Sequence, residues 1–263
     1  MSKIRKYGQA PYQVAVVHGG PGAGGEMAPV ARRLASHSGV LEPFQTALSL
    51  PGQIEELRGA LQENGNLPLI LIGYSWGAWL SFIIAARYPS LVEKLILISS
   101  GPFSEKYAAR IQETRLSRLD QSERTELESL LEIINNPTIK DKNRAFARFG
   151  DLFSKTDTFN PLTSDAKSTD TIEFRADIFH KLWPQGAALR SSGELLEFGK
   201  DINCPVIAIH GDYDPHPADG VREPLTTILK NFRFVQLQHC GHKPWGEQEA
   251  RESFFRILAA ELD

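Results

Sequence analysis

The pentapeptide Gly73-Tyr74-Ser75-Trp76-Gly77 constrains this chain more than any other segment, because of what surrounds it. It interrupts an uncharged stretch, 64–86, long enough to cross a bilayer on length alone. Asn66 and Pro68 at its start and the glycines near its middle argue against a span. A buried strand that passes through a tight turn into a buried helix has the same hydropathy, and we read the stretch as core. In a G-x-S-x-G turn of that kind the middle residue is held in a strained backbone conformation, and the flanking glycines let strand and helix approach closely. The hydroxyl of Ser75 then stands clear of the sheet at a helix N-terminus, whose dipole favours developing negative charge. The bland alternative is a glycine-rich turn with an incidental serine; the strand–turn–helix context favours a nucleophile.

Apolar runs at 14–17, 69–72, 95–98, 206–209 and 232–237 mark five strands. The first four lack polar alternation, as in parallel strands buried on both faces, whereas Arg233 and Gln236 place the fifth nearer an edge. Helical spacing fills 26–36, 53–63, 76–87, 221–230 and 247–262. The alternation predicts an α/β fold, a mostly parallel, doubly wound sheet with helices on both faces. Residues 102–199 break the rhythm with amphipathic helices, one carrying the stripe Leu116, Leu119, Leu127, Leu130, Leu131 and Ile134, punctuated by Pro137, Pro161 and Pro184. The expected organisation is a core of 1–101 and 200–263 with a helical insertion at 102–199.

Three further loops follow predicted strands. His18-Gly19-Gly20-Pro21-Gly22 offers backbone N–H groups unshielded by side chains; one at Gly19 or Gly20, with that of Trp76, suits an oxyanion hole. It matches neither glycine-rich phosphate pattern, and no P-loop lysine follows. Gly211-Asp212-Tyr213-Asp214-Pro215 supplies an acid, with Asp214 favoured by its offset from the glycine and Asp212 as its competitor. Gly241-His242-Lys243-Pro244-Trp245 supplies a histidine that takes the serine proton while the carboxylate fixes its tautomer.

With 29 Lys+Arg against 32 Asp+Glu, net charge −3, the chain gives no electrostatic case for nucleic acid or an anionic membrane. Lys3, Arg5 and Lys6 precede an apolar run too short for a signal peptide. Cys204 and Cys240 are too few for a disulfide framework, which suggests a reducing, cytoplasmic compartment. His210, Asp212, Asp214, His216, His239 and His242 tempt a metal reading, but their spacing fits no metal motif, and no metal is expected. His210 and His239 read as strand-end residues, and Cys240 as a small buried one. Pro215, Pro217 and Pro224 read as loop and helix-start residues. Among Trp79, Trp183 and Trp245, Trp183 in the insertion is the candidate substrate-contacting residue and Trp79 reads as core.

Taken together these motifs resemble the α/β-hydrolase superfamily, and HGGPG with Gly-x-Ser-Trp-Gly is similar to its proline iminopeptidase branch. The resemblance implies an inserted cap over the active site at 102–199, and roles of nucleophile for Ser75, acid for Asp214, base for His242 and oxyanion donors for Trp76 and Gly19 or Gly20. His18 comes so early that the first two strands of that fold are missing or reduced to 7–13, and 41–45 lacks the superfamily's D-x-x-G-x-G-x-S run. The expectation is a cofactor-free serine hydrolase acting on an ester or amide of a small molecule or short peptide, with aminopeptidase and esterase both open. Two alternatives use the same scaffold: a lyase or carbon–carbon bond hydrolase, and a ligand-binding receptor.

Overall fold

The computed structural model describes residues 4–136, 138–162 and 175–262. Pro137, Lys3 and residues 163–174 of the expected insertion lie outside the described residues. In chain order the elements are β1 (Ile4–Tyr7), β2 (Tyr12–Val17), α1 (Ala28–Leu34), β3 (Gly39–Pro43), α2 (Leu50–Asn64), β4 (Leu69–Tyr74), α3 (Trp76–Arg87) and β5 (Val92–Ile98). Helices α4 (Glu105–Ser117), α5 (Gln121–Asn135), α6 (Asn143–Asp157), α7 (Ala176–Ser192) and α8 (Glu194–Glu197) follow. The chain closes with β6 (Val206–Gly211), α9 (Asp219–Ile228), β7 (Phe232–Leu237) and α10 (Arg251–Leu262).

The seven strands form one sheet in the order β1-β3-β2-β4-β5-β6-β7, parallel except for β1, which runs antiparallel to β3. All five anticipated strands are present, and β7 is an edge strand. Alternation along the strands divides the core. Val14, Val16, Ile70, Ile72, Ile96 and Ile98 face α1 and α10, packing with Met27, Leu34 and Phe254. Ala15, Val17, Leu71, Leu95 and Leu97 face the other way, onto Leu57, Leu61, Phe82 and Ile83 of α2 and α3. Ile178, Leu182 and Leu195 of α7 and α8 join that second cluster.

Sequence periodicity misplaced several boundaries. The N-terminal strand is Ile4–Tyr7, ahead of the 7–13 stretch, and it pairs with a strand at Gly39–Pro43 that carries too few apolar residues to announce itself. All five residues of β3 are nevertheless buried, Glu42 included, because Tyr7 donates its hydroxyl to the Glu42 carboxylate at 2.6 Å and Arg5 lies 3.8 Å away. Burial and that carboxylate push the Tyr7 phenol up to about 12. Pro184 and Pro224 lie inside α7 and α9 rather than at their ends. The last helix begins at Arg251, not at 247.

Between β5 and β6 the described residues form no strand. The apolar stripe of that stretch packs as its own cluster, with Leu127, Leu130 and Ile134 of α5 against Ala145 and Leu152 of α6 and Leu119. A capping box starts α5: Asp120 accepts from the Glu123 N–H at 2.9 Å while Glu123 accepts from the Asp120 N–H at 3.1 Å. No described helix is long and apolar enough to cross a membrane.

The uncharged stretch resolves into β4 and α3, whose residues from Trp76 to Ala86 are all buried. Two glycines permit that contact. A Cβ on Gly73 would lie 2.3 Å from the Gly77 carbonyl oxygen, and one on Gly77 would lie 2.4 Å from the Val17 carbonyl oxygen. Gly77→Ala is expected to cost about 3 kcal/mol or more through overpacking. Gly59, in α2 with nothing within 4 Å of its added Cβ, should instead gain about 0.5–1 kcal/mol as alanine. Urea unfolding of both variants checks the contrast, and equal midpoints would refute it.

Candidate active site

Strand β3 leaves β2 on one side and β4 returns on the other, so the strand order reverses between β2 and β4. Ligands of open α/β sheets bind beyond the carboxyl ends of strands at such a reversal. His18-Gly19-Gly20 leaves β2 there, and Ser75 leaves β4.

Ser75 has φ 52° and ψ −114°, a strained conformation for a residue with a side chain. Its N–H donates to the Ile98 carbonyl at 3.0 Å, which anchors the turn to β5. Its hydroxyl lies 3.1 Å from Nε2 of His242, and Nδ1 of His242 lies 2.8 Å from Oδ2 of Asp214. The proton positions that satisfy both contacts are Ser75 O–H donating to Nε2 and Nδ1–H donating to the carboxylate. Asp212 stands apart from this chain and accepts the Cys240 N–H at 3.0 Å.

Asp214 has a second imidazole. His216 donates its backbone N–H to Oδ1 at 2.9 Å, and its Nδ1 lies 2.8 Å from the same oxygen. The His216 and His242 rings stack with centroids 4.4 Å apart. Burial alone would raise the Asp214 carboxyl, but His242, His216 and His210 around it pull it well below the usual carboxylate range. Burial lowers His216 to about 4, outweighing the attraction of Asp214. Ligand atoms of Asp214, His216 and His242 fall within 4.8 Å of one another. Both rings already spend Nδ1 on the carboxylate, so hydrogen bonding accounts for the cluster.

Gly20, at φ +109°, and Trp76 line the cavity beside Ser75, while Gly19 lies behind them. A Cβ on Gly19 would lie 2.9 Å from the Tyr74 ring and 3.0 Å from the Glu26 carboxylate. The loop is pinned by buried His18, whose Nδ1 bonds the Gly19 carbonyl at 2.8 Å while Nε2 receives the Gln45 N–H at 3.5 Å. Burial lowers the pKa of His18, which favours this neutral form.

The cavity encloses about 570 Å³. Trp183 lines it, stacked between Trp79 (6.2 Å, 11°) and Phe179 (5.7 Å, 9°). Trp79 is therefore wall as well as core. Trp245 does not reach the cavity; it supports Tyr74 edge-on at 4.7 Å, and Tyr74 in turn supports His242 at 5.1 Å. His210 bonds the His216 carbonyl through Nε2 at 2.8 Å, and His239 stacks on Phe159. Cys240 is buried and free, its thiol pushed up by burial.

Charged groups of the wall escaped sequence reading because each comes from a different element. Glu26 and Lys243 pair at 2.5 Å, which raises the Lys243 ammonium, and Arg115 of α4 pairs with Asp157 of α6 through Nε at 2.8 Å. The Asp157 carbonyl accepts the His242 N–H at 2.7 Å. Buried Glu247, expected to begin a helix, instead bridges to Pro161 and accepts N–H groups from Gly241, Phe159 and Asn160 at 2.8–2.9 Å. His216 alone had a local signal, two residues from Asp214.

A family model described as alpha/beta hydrolase fold matches residues 21–247. The chain is 24% identical over 271 residues to the pimeloyl-acyl-carrier protein methyl ester esterase of Chromobacterium violaceum, spanning 99% of this chain and 97% of that protein. Its backbone is similar to that of VinJ, with TM-score 0.68 and 18% identity over 98% of this chain and 93% of that one. A proline iminopeptidase of Mycobacterium smegmatis gives TM-score 0.61 and 18% identity over 98% and 93%. The two structural likenesses speak for the fold.

Because His216 titrates near 4 when folded and near 6.5 when unfolded, the unfolded chain takes up its proton first as pH falls. Stability should therefore decline from pH 6.5 towards pH 4, above the range where Asp214 is protonated. His216→Gln, which keeps a donor for Asp214, should flatten the decline in melting temperature across that window. An unchanged slope would refute the assignment.

Proposed function

The chain belongs to the alpha/beta hydrolase fold family, and on that premise we propose that it is a serine hydrolase that cleaves an ester of a small, largely apolar acyl group through an acyl-enzyme. The observation that carries the reading is the hydrogen-bonded series Ser75–His242–Asp214 at the cavity wall. His242 takes the hydroxyl proton as Ser75 Oγ attacks the carbonyl carbon. Asp214 holds the imidazole tautomer and stabilises the imidazolium. The N–H of Trp76, one of the first-turn donors a helix leaves unsatisfied, and that of Gly20 or Gly19 receive the oxyanion. Collapse of the tetrahedral intermediate expels the alcohol with the proton from His242. Water, activated by the same histidine, then releases the acid.

The cavity wall favours an ester over an N-terminal peptide. An aminopeptidase site needs a carboxylate free to meet the substrate ammonium. Among the described residues the wall carboxylates are Glu26 and Asp157, and each is neutralised by a cation of the protein itself. The remaining wall from Trp79 through Trp183 to Phe179 offers flat apolar surface for an acyl chain or aryl ring. The helices of 102–199 that carry Trp183 and Phe179 serve in this reading as the cap over the site.

A fluorophosphonate probe tests the nucleophile. Stoichiometric labelling at Ser75, mapped by peptide mass spectrometry and abolished in His242→Ala, is the expected result. Ser75→Ala should lower kcat on nitrophenyl esters by on the order of 10⁵ while melting like the parent. Absence of labelling in folded protein, or a fully active Ser75→Ala, would remove the triad from the mechanism. Faster turnover of an arylamide with a free amine than of its blocked counterpart would favour the aminopeptidase.

A further inference from the structure

Among the described residues the cavity wall carries a third cation, Arg190, whose carboxylate partner stands outside the wall. Arg190, near the end of α7, is only 8% exposed and lines the cavity. Its Nε donates to Glu105 at 2.8 Å, from the side of the guanidinium, and Glu105 is itself a half-exposed residue outside the cavity wall. The two terminal nitrogens of Arg190 donate to nothing among the described residues, yet they are not sealed from solvent. The other wall cations differ: Lys243 is matched by Glu26 and Arg115 by Asp157. Among the described wall cations Arg190 is thus the one whose partner lies outside the wall, and the Glu105 carboxylate leaves its two terminal nitrogens without an acceptor.

Its position relative to Ser75 is set by the tryptophans. Trp76, next in sequence to Ser75, lies 6.2 Å from Trp79, and the Arg190 guanidinium lies 5.7 Å from the Trp79 ring centre on the cavity wall. Trp183 stacks on Trp79 and extends the same flat surface. A ligand with its carbonyl at Ser75 crosses an aromatic surface before reaching Arg190. A guanidinium with one edge committed and its terminal nitrogens open suits a carboxylate, which it binds through two parallel hydrogen bonds. A neutral substrate would leave those donors desolvated and unpaired, which disfavours binding.

We propose that Arg190 is a specificity-determining residue and that the substrates are esters bearing a carboxylate at the end remote from the scissile carbonyl, such as half-esters of dicarboxylic acids. The assignment rests on the hydrolase reading above. The plain structural alternative is that Arg190 only clips α7 to the start of α4 through Glu105.

The test compares mono-4-nitrophenyl esters of dicarboxylic acids from glutarate to suberate with 4-nitrophenyl esters of monocarboxylic acids of equal chain length. The parent enzyme should prefer at least one half-ester by about tenfold in kcat/KM, and the preference should shrink as salt rises. Arg190→Gln should raise KM for that half-ester about 10- to 100-fold with little change in kcat. The neutral ester, relieved of those unpaired donors, should not be slowed by the same change, and Arg190→Lys should restore part of the preference. A parent that prefers the neutral ester, or an Arg190→Gln variant that loses both substrates alike, overturns the proposal. Should the parent turn over neither ester, the hydrolase reading fails instead, and binding still decides the carboxylate site. The free dicarboxylates should raise the melting temperature of the parent and of Arg190→Lys but not of Arg190→Gln. Equal shifts in parent and Arg190→Gln, or none in the parent, overturn it.

Discussion

The first turn of α3 lies so close to β2 that backbone meets backbone, and the rest of the site follows from that contact. Gly77 sits against the Val17 carbonyl and Gly73 against the Gly77 carbonyl, with no room for a side chain at either place. The chain between them can pass from strand to helix only by bending sharply, and Ser75 takes the positive φ that the bend requires. One steric constraint thereby fixes the hydroxyl above the sheet, sets the Trp76 N–H beside it and brings the loop after β2 alongside. The strain at Ser75 is supported by burial of the whole helix behind it.

Against this rigid turn His242 is held by an arrangement with more parts. Asp214 is buried and hydrogen-bonds two imidazoles, with that of His210 3.5 Å from Oδ2, and only His242 also reaches Ser75. The other, His216, is kept neutral by burial and occupies Oδ1, so the carboxylate presents one oxygen to His242 in one direction. Tyr74 and Trp245 back the His242 ring from behind. The order of support thus runs from core aromatic residues outward to the cavity.

How much of this was legible in the sequence depended on whether neighbours in space were neighbours in the chain. The pentapeptide around Ser75 and the loop glycines are local signals, as are the apolar runs of β2, β4, β5 and β6, buried on both faces. Strand β3 gives a weaker one: it lies inside the sheet between β1 and β2, yet its Val40 and Leu41 are followed by Glu42 and Pro43, and the Tyr7 hydroxyl, with Arg5 3.8 Å away, accounts for the buried carboxylate. The wall charges gave no signal at all. Glu26 meets Lys243, Arg115 meets Asp157 and Arg190 meets Glu105 across separations that no periodicity spans. Glu247 looked like the first residue of an amphipathic helix because its neighbours are helical, whereas its carboxylate is spent on backbone N–H groups of two distant loops. Proline misled in the opposite direction, since Pro184 and Pro224 were absorbed within helices.

That last carboxylate has a mechanical consequence. Glu247 ties Gly241 to Phe159 and Asn160, and the Asp157 carbonyl holds the backbone N–H of His242. The end of α6 and the histidine loop are therefore interlocked, with no slack between them. A movement of α6 away from the sheet would pull on the backbone of His242 and strain the 3.1 Å contact between its ring and Ser75.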